Sequence, residues 1–194
     1  MNEQLETVLI LDYGSQYTQL IARRCREEGV FSRIEPWDLP VDEIRALEPV
    51  GIILSGGPRS VYDEGAPRLN RELLKLGVPL LGICYGMHLL VISQGGDVSS
   101  GDVSEYGRAT IIQQNPSRFF SGLDDDQPVW MSHGDHVTRL PDGWTLTAQS
   151  GSGIVAAVEQ PGRKLYGVQF HPEVSHTPSG DRMVRNFLYD ICGA

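Results

Sequence analysis

The sequence predicts an α/β fold: an open, mostly parallel central sheet with helices on both faces, extended by an antiparallel β addition in the second half. Three observations carry that prediction. Short runs that are apolar at every position recur through the first half, as in strands buried on both faces. Segments with apolar residues three and four apart lie between them, as crossover helices do. The second half changes to short β-rich segments divided by turn residues such as Pro141-Asp142-Gly143.

Thr7-Val8-Leu9-Ile10-Leu11 is the first strand, and it stops at Asp12-Tyr13-Gly14. Tyr17, Leu20, Ile21 and Cys25 follow at helical spacing, with Ser15 as cap and Gly29 as stop. Residues 30–34 form a second strand and 42–47 a short helix. Gly51-Ile52-Ile53-Leu54 is a third strand that closes on Ser55-Gly56-Gly57-Pro58. Residues 68–76 read as a helix ended by Gly77, 78–83 as a fourth strand, and 85–93 as a helix that stops at Gln94-Gly95-Gly96. Residues 108–113, 127–131, 145–149, 153–158 and 164–169 are strands, either added to the sheet or forming a small second one. A last helix, 181–191, packs through Met183, Val184, Phe187, Leu188 and Ile191. With no linker or repeat, residues 1–194 read as one domain.

Hydrophobic residues make up 40% and charged residues 21%, which suits a globular domain of 194 residues. Sixteen Lys and Arg against 25 Asp and Glu give a net charge of -9, which disfavours a broad nucleic-acid face. Three widely spaced cysteines, Cys25, Cys84 and Cys192, with no CxxC, give no support to a zinc or thioredoxin-type site and suit a reducing compartment. The acidic start resembles no leader, and no apolar run is long enough to span a bilayer. The expectation is a soluble cytoplasmic chain with no membrane partner.

Gly82-Ile83-Cys84-Tyr85-Gly86 places a thiol between a strand and a helix. A nucleophile on such an elbow sits on a tight turn between small residues, and the helix N-terminus favours its thiolate. The alternative is a buried cysteine ending a strand. Gln169-Phe170-His171-Pro172-Glu173 follows another strand, and a His needs an acceptor to fix its tautomer. Glu173 can hold His171 if a local bend lets them meet; the alternative is a surface His and Glu at a turn. Strand ends of an open parallel sheet are where sites form, so Cys84, His171 and Glu173 together read as a triad. Gly57 and Tyr85 can offer two backbone N–H donors to an oxyanion. Ser132-His133-Gly134-Asp135-His136 is read as a substrate loop in preference to a metal site. Trp37, Trp130 and Trp144 are assigned to core or rim, and Cys25 and Cys192 to structure.

The elbow, His171-Pro172-Glu173 and Ser55-Gly56-Gly57-Pro58 jointly resemble the triad-type, class I glutamine amidotransferases. Asp12 to Arg24, Trp130 to Asp135 and Gln169 to Thr177 closely resemble the amidotransferase domains of glutamine-hydrolysing GMP synthases. The resemblance runs from about residue 6 to 192 and implies the flavodoxin-like fold of that class. It implies hydrolysis of L-glutamine through a Cys84 thioester, with Cys84, His171 and Glu173 catalytic and Gly57 and Tyr85 at the oxyanion hole. Substrate contacts fall to Gly56, His88, Ser132, His133, Gly134 and Asp135, with no metal and no cofactor on this chain. The family usually has Gln where this chain has His88, which is expected to be neutral and to face the substrate. The implied partner is a synthetase domain or subunit that uses ATP and Mg²⁺ to aminate XMP; its Ser-Gly-Gly-Val-Asp-Ser-type loop is absent from this sequence. Rival readings are the amidotransferase component of anthranilate or carbamoyl phosphate synthesis, a cysteine peptidase-like hydrolase, and a regulatory domain with a decayed triad.

Overall fold

The computed structural model describes residues 6–194; residues 1–5, part of the acidic start, lie outside them. Four parallel strands open the fold: β1 (Thr7–Asp12), β2 (Phe31–Pro36), β3 (Gly51–Leu54) and β4 (Leu80–Ile83). Helices α1 (Thr18–Glu27), α2 (Val41–Ala46) and α3 (Tyr85–Ser93) accompany them. The uniformly apolar runs have the expected cause. In β1, Val8 and Ile10 face one layer and Leu9 and Leu11 the other, and all four are fully buried. The first layer holds Ile21 and Cys25 of α1; the second holds Ile44 of α2 and Leu90 of α3. Helix α3 is buried on every side from Tyr85 to Val91, so it carries no polar stripe.

The second half continues the same sheet. It contains β5 (Asp97–Gln113), β6 (Asp126–Arg139), β7 (Thr145–Ser150), β8 (Val155–Gln160) and β9 (Leu165–Val168). Among the described residues the nine strands run β2-β1-β3-β4-β9-β8-β7-β5-β6. Pairing is parallel from β2 to β9 and antiparallel beyond. A second sheet is therefore not formed, and the last strand in sequence is the one that joins the halves. Helix α4 (Gly180–Arg185) continues as a π-helical turn, Asn186–Ile191, and buries Met183, Val184, Phe187 and Leu188 against the α1 layer.

Three elements depart from the sequence prediction. The hairpin of β5 and β6 is far longer than residues 108–113 and 127–131. Ser99 and Ser100 pair with His136 and Asp135, and a register shift before Glu105 absorbs the intervening turn-type residues. Residues 132–135 consequently lie inside a strand, not in a loop after one. The helix expected over 68–76 is a short 3₁₀ turn, Arg71–Lys75, capped by the Asn70 side chain. Ser15 does not cap α1: its hydroxyl accepts from the Tyr17 N–H one turn earlier, while Gly29, at φ 85°, does stop the helix.

The glycines around Cys84 serve close approach. A Cβ on Gly86 would lie 2.4 Å from the Leu54 carbonyl oxygen, and one on Gly82 2.5 Å from Gly86. Helix α3 thus begins with its backbone pressed on β3 and β4. Gly86→Ala should force these elements apart and cost about 2–3 kcal/mol, seen as a lower denaturant midpoint at unchanged slope.

Candidate active site

Strands β1, β3, β4 and β9 end at the same edge of the sheet, and the chain segments that leave them converge there. A cavity of about 530 Å³ opens at this edge. Residues 14–17, 57–60 and 132–135 line it together with Cys84, Tyr85, His88, Tyr106 and His171.

Cys84 sits at φ 51° and ψ −105°, a left-handed conformation for a residue with a side chain. The turn is anchored on both sides. Its N–H donates to the Val168 carbonyl of β9 at 2.7 Å, and its carbonyl accepts from the His88 N–H to start α3. The sulfur lies 3.7 Å from the Ser132 carbonyl and accepts from Gln169 Nε2 at 3.5 Å.

The bend needed at His171 is present. The chain leaves β9 into turns, and His171 Nδ1 meets Glu173 Oε1 at 2.7 Å with both side chains buried. Neighbours fix the backbone on either side. The His171 N–H donates to Trp130 O, the Thr177 hydroxyl donates to His171 O, and Arg24 Nε donates to Glu173 O. The Tyr17 ring stands edge-on to the imidazole at 5.0 Å. Burial alone would lower the His171 pKa, but the Glu173 carboxylate and the nearby Cys84 side chain outweigh it and raise the pKa. The structure therefore brings Cys84, His171 and Glu173 together with the His171 pKa raised, and a protonated His171 can accompany a thiolate and deliver a proton to a leaving group.

Gly56 backs this pair: a Cβ there would lie 3.3 Å from His171 Cε1 and 3.7 Å from Cys84 Cβ. A Cβ on Gly57 would lie 2.7 Å from the Tyr13 carbonyl oxygen, so the loop passes close over β1. Ser55 fastens it, accepting from the Tyr13 N–H and donating to Gly56 O. Gly57 and Tyr85 both line the cavity, beside the sulfur's turn.

Among the candidate substrate contacts, Ser132, Gly134 and Asp135 line the cavity. His133 is turned into the hairpin: Nδ1 pairs with the Asp135 carbonyl at 2.9 Å and Nε2 faces Glu105 at 3.4 Å. His88 is nearly fully buried at the cavity wall. It is uncharged as expected, but burial is the main cause, lowering its pKa to about 4. Its Nε2 is engaged by Gln169 Oε1 at 2.7 Å, and the residue lines the cavity. Gln169 is thus the functional position that sequence reasoning missed, along with Tyr17 and Thr177. Its spacing was a usable signal, because it lies two residues before His171 and directly after the strand.

A profile of the glutamine amidotransferase class-I family matches residues 9–191. The chain is 50% identical over 187 residues to a glutamine-hydrolysing GMP synthase of Clostridium kluyveri, covering 96% of this chain and 37% of that protein. It is 52% identical over 188 residues to the protein of the same name from Listeria innocua, covering 97% and 36%. The chain therefore spans little more than a third of the length of these relatives. A crystal structure from Thermoplasma acidophilum, of a protein provisionally named as a GMP synthase subunit, superposes with a TM-score of 0.82. That pair is 32% identical and covers 97% of this chain and 94% of the other.

Two of the cavity histidines, His171 and His88, should titrate in opposite directions. Followed by NMR and assigned by substitution, His171 should stay protonated above its ordinary pKa of 6.5, while His88 stays neutral down to about pH 4. Because the His171 pKa is raised on folding, its contribution to stability is full below pH 6.5 and is lost as pH rises through the folded value. Glu173→Gln should lower the His171 midpoint and flatten that pH dependence.

Proposed function

This chain belongs to the class-I glutamine amidotransferase family, and on that basis we propose that it hydrolyses L-glutamine to glutamate and ammonia, the ammonia serving the ATP-dependent amination of XMP to GMP. The observation that carries the reading is the Cys84 turn, with its sulfur in the same cavity as a His171 ring held by Glu173. The likeness to glutamine-hydrolysing GMP synthases supports the assignment of the acceptor.

In this reading the Cys84 thiolate attacks the side-chain carbonyl carbon of glutamine. Backbone N–H groups of Gly57 and Tyr85 receive the oxyanion; the Cys84 N–H is committed to Val168 and does not take part. His171 gives its proton to the departing nitrogen, so ammonia leaves and a glutamyl thioester remains. The neutral imidazole then takes a proton from water, hydroxide adds to the thioester, and the thiolate leaves. Glutamate is released with His171 again protonated. The segments around Gly56 and Ser132 to Asp135 hold the amino acid end of the substrate, and the tyrosine ring at position 17 limits rotation of the imidazole. The chain carries no cofactor of its own in this scheme; ATP and Mg²⁺ act on the synthetase part that receives ammonia. The site of action is the cytoplasm.

Cys84→Ala should lower ammonia release from glutamine by about 10⁴-fold or more, with His171→Ala nearly as damaging and the double variant no worse. More than a tenth of wild-type activity in Cys84→Ala would refute the thioester route. Given XMP, ATP, Mg²⁺ and glutamine, the 194-residue chain should form glutamate and ammonia but no GMP. Adding a synthetase part from one of the relatives should restore GMP formation, and GMP made by this chain unaided would overturn the division of labour.

A further inference from the structure

Beneath the Cys84 sulfur lies a buried pair that the thioester scheme does not use. Gln169 is fully buried and His88 is 3% exposed. Gln169 Nε2 points at the sulfur at 3.5 Å, while its Oε1 pairs with His88 Nε2 at 2.7 Å. A carboxamide oxygen can only accept, so the His88 nitrogen facing it carries the ring proton. That choice decides what the sulfur meets. With Oε1 held by His88, the amide must offer N–H to Cys84. Were the His88 proton on Nδ1, Nε2 would be an acceptor, the amide would turn over, and a carbonyl oxygen would face the sulfur. We infer that Gln169 is a donor to the Cys84 sulfur that favours its anionic form, and that His88 is a positioning residue that fixes the polarity of that donor. The inference rests on the reading of Cys84 as the nucleophile.

The arrangement accounts for His88 in the middle of an otherwise apolar helix. It makes His88 part of the sulfur's support. The titratable groups that bear on His88 are Asp135, His133 and His136 of β6, while His171, held by Glu173, bears on the sulfur side of the pair. Asp135 opposes the neutral form of His88, and burial outweighs it.

The test reads the thiol directly and does not need glutamine turnover. The rate of Cys84 alkylation by iodoacetamide is followed against pH in the whole chain, by mass spectrometry of the Cys84 peptide. Cys25 and Cys192 interfere little, since burial raises both thiol pKa values and keeps them protonated. Gln169→Met, of similar size without a donor, should raise the alkylation midpoint by about one pH unit, a tenfold loss of thiolate below it. His88→Leu should do the same, and His88→Gln, which keeps an N–H donor, should recover most of the shift. With glutamine, kcat should fall in the first two variants while KM holds. An unmoved midpoint in Gln169→Met, or no difference between His88→Leu and His88→Gln, overturns the inference. If Gln169→Met does not fold, the His88 comparison decides it. A shifted midpoint in a chain that releases no ammonia from glutamine would instead count against the proposed reaction and leave this inference standing.

Discussion

The left-handed turn at Cys84 is the constraint around which the molecule is arranged. A non-glycine residue at φ 51° costs about 1–3 kcal/mol, and it persists because its surroundings over-determine it. Strand β4 fixes the chain before the turn, α3 fixes the chain after it, and β9 captures its N–H. The two flanking glycines let these pieces approach to backbone contact. The return is geometric: the side chain is carried off the end of the sheet and into the cavity, where an ordinary strand residue would point into a core layer.

The histidine side of the cavity is built differently. No strained torsion is needed there. His171 is held by a set of ordinary hydrogen bonds that cross from three other parts of the chain, through Trp130, Thr177 and Arg24. One partner is therefore rigid because its backbone has no alternative, and the other because its neighbours leave it none. Between them the Gln169 amide reaches the sulfur from below, so the thiol is surrounded by groups whose own positions are fixed before any ligand arrives.

Much of this was legible in the sequence. The apolar runs of β1, β3 and β4 are readable because burial on both faces leaves no position for a polar residue. The elbow is readable because backbone contact excludes side chains at residues 82 and 86. His171 and Glu173 are readable because they lie two apart after a strand. What escaped reading depends on partners distant in the chain. His88 and Gln169 are 81 residues apart, and no local pattern announces that one aims the other. The β5–β6 hairpin was shortened because Ser99 and Ser100 look like turn residues, while the partner strand and a register shift hold them in the ladder. Residues 68–76 have helical spacing, but only Leu73 is fully buried, with Leu69, Leu74 and Leu76 covering the same layer in part, and a short 3₁₀ turn is what forms.

The place of β9 in the sheet bears on the order in which the molecule can be made. A ribosome delivers β4 and α3 early, and at that stage β4 has β3 on one side and an open apolar edge on the other. The segment that closes the edge, Leu165–Val168, emerges only after the whole antiparallel excursion of β5 to β8. Pairing across so long a loop is slow to form and leaves the nascent edge uncovered in the meantime. The same late event supplies the Val168 carbonyl, Gln169 and His171 to Cys84. Until then Cys84 stands without the groups that surround its sulfur in the folded chain. The chain thus travels through synthesis with the surroundings of Cys84 unassembled, and the last strand that completes the sheet also completes the cavity wall around the sulfur.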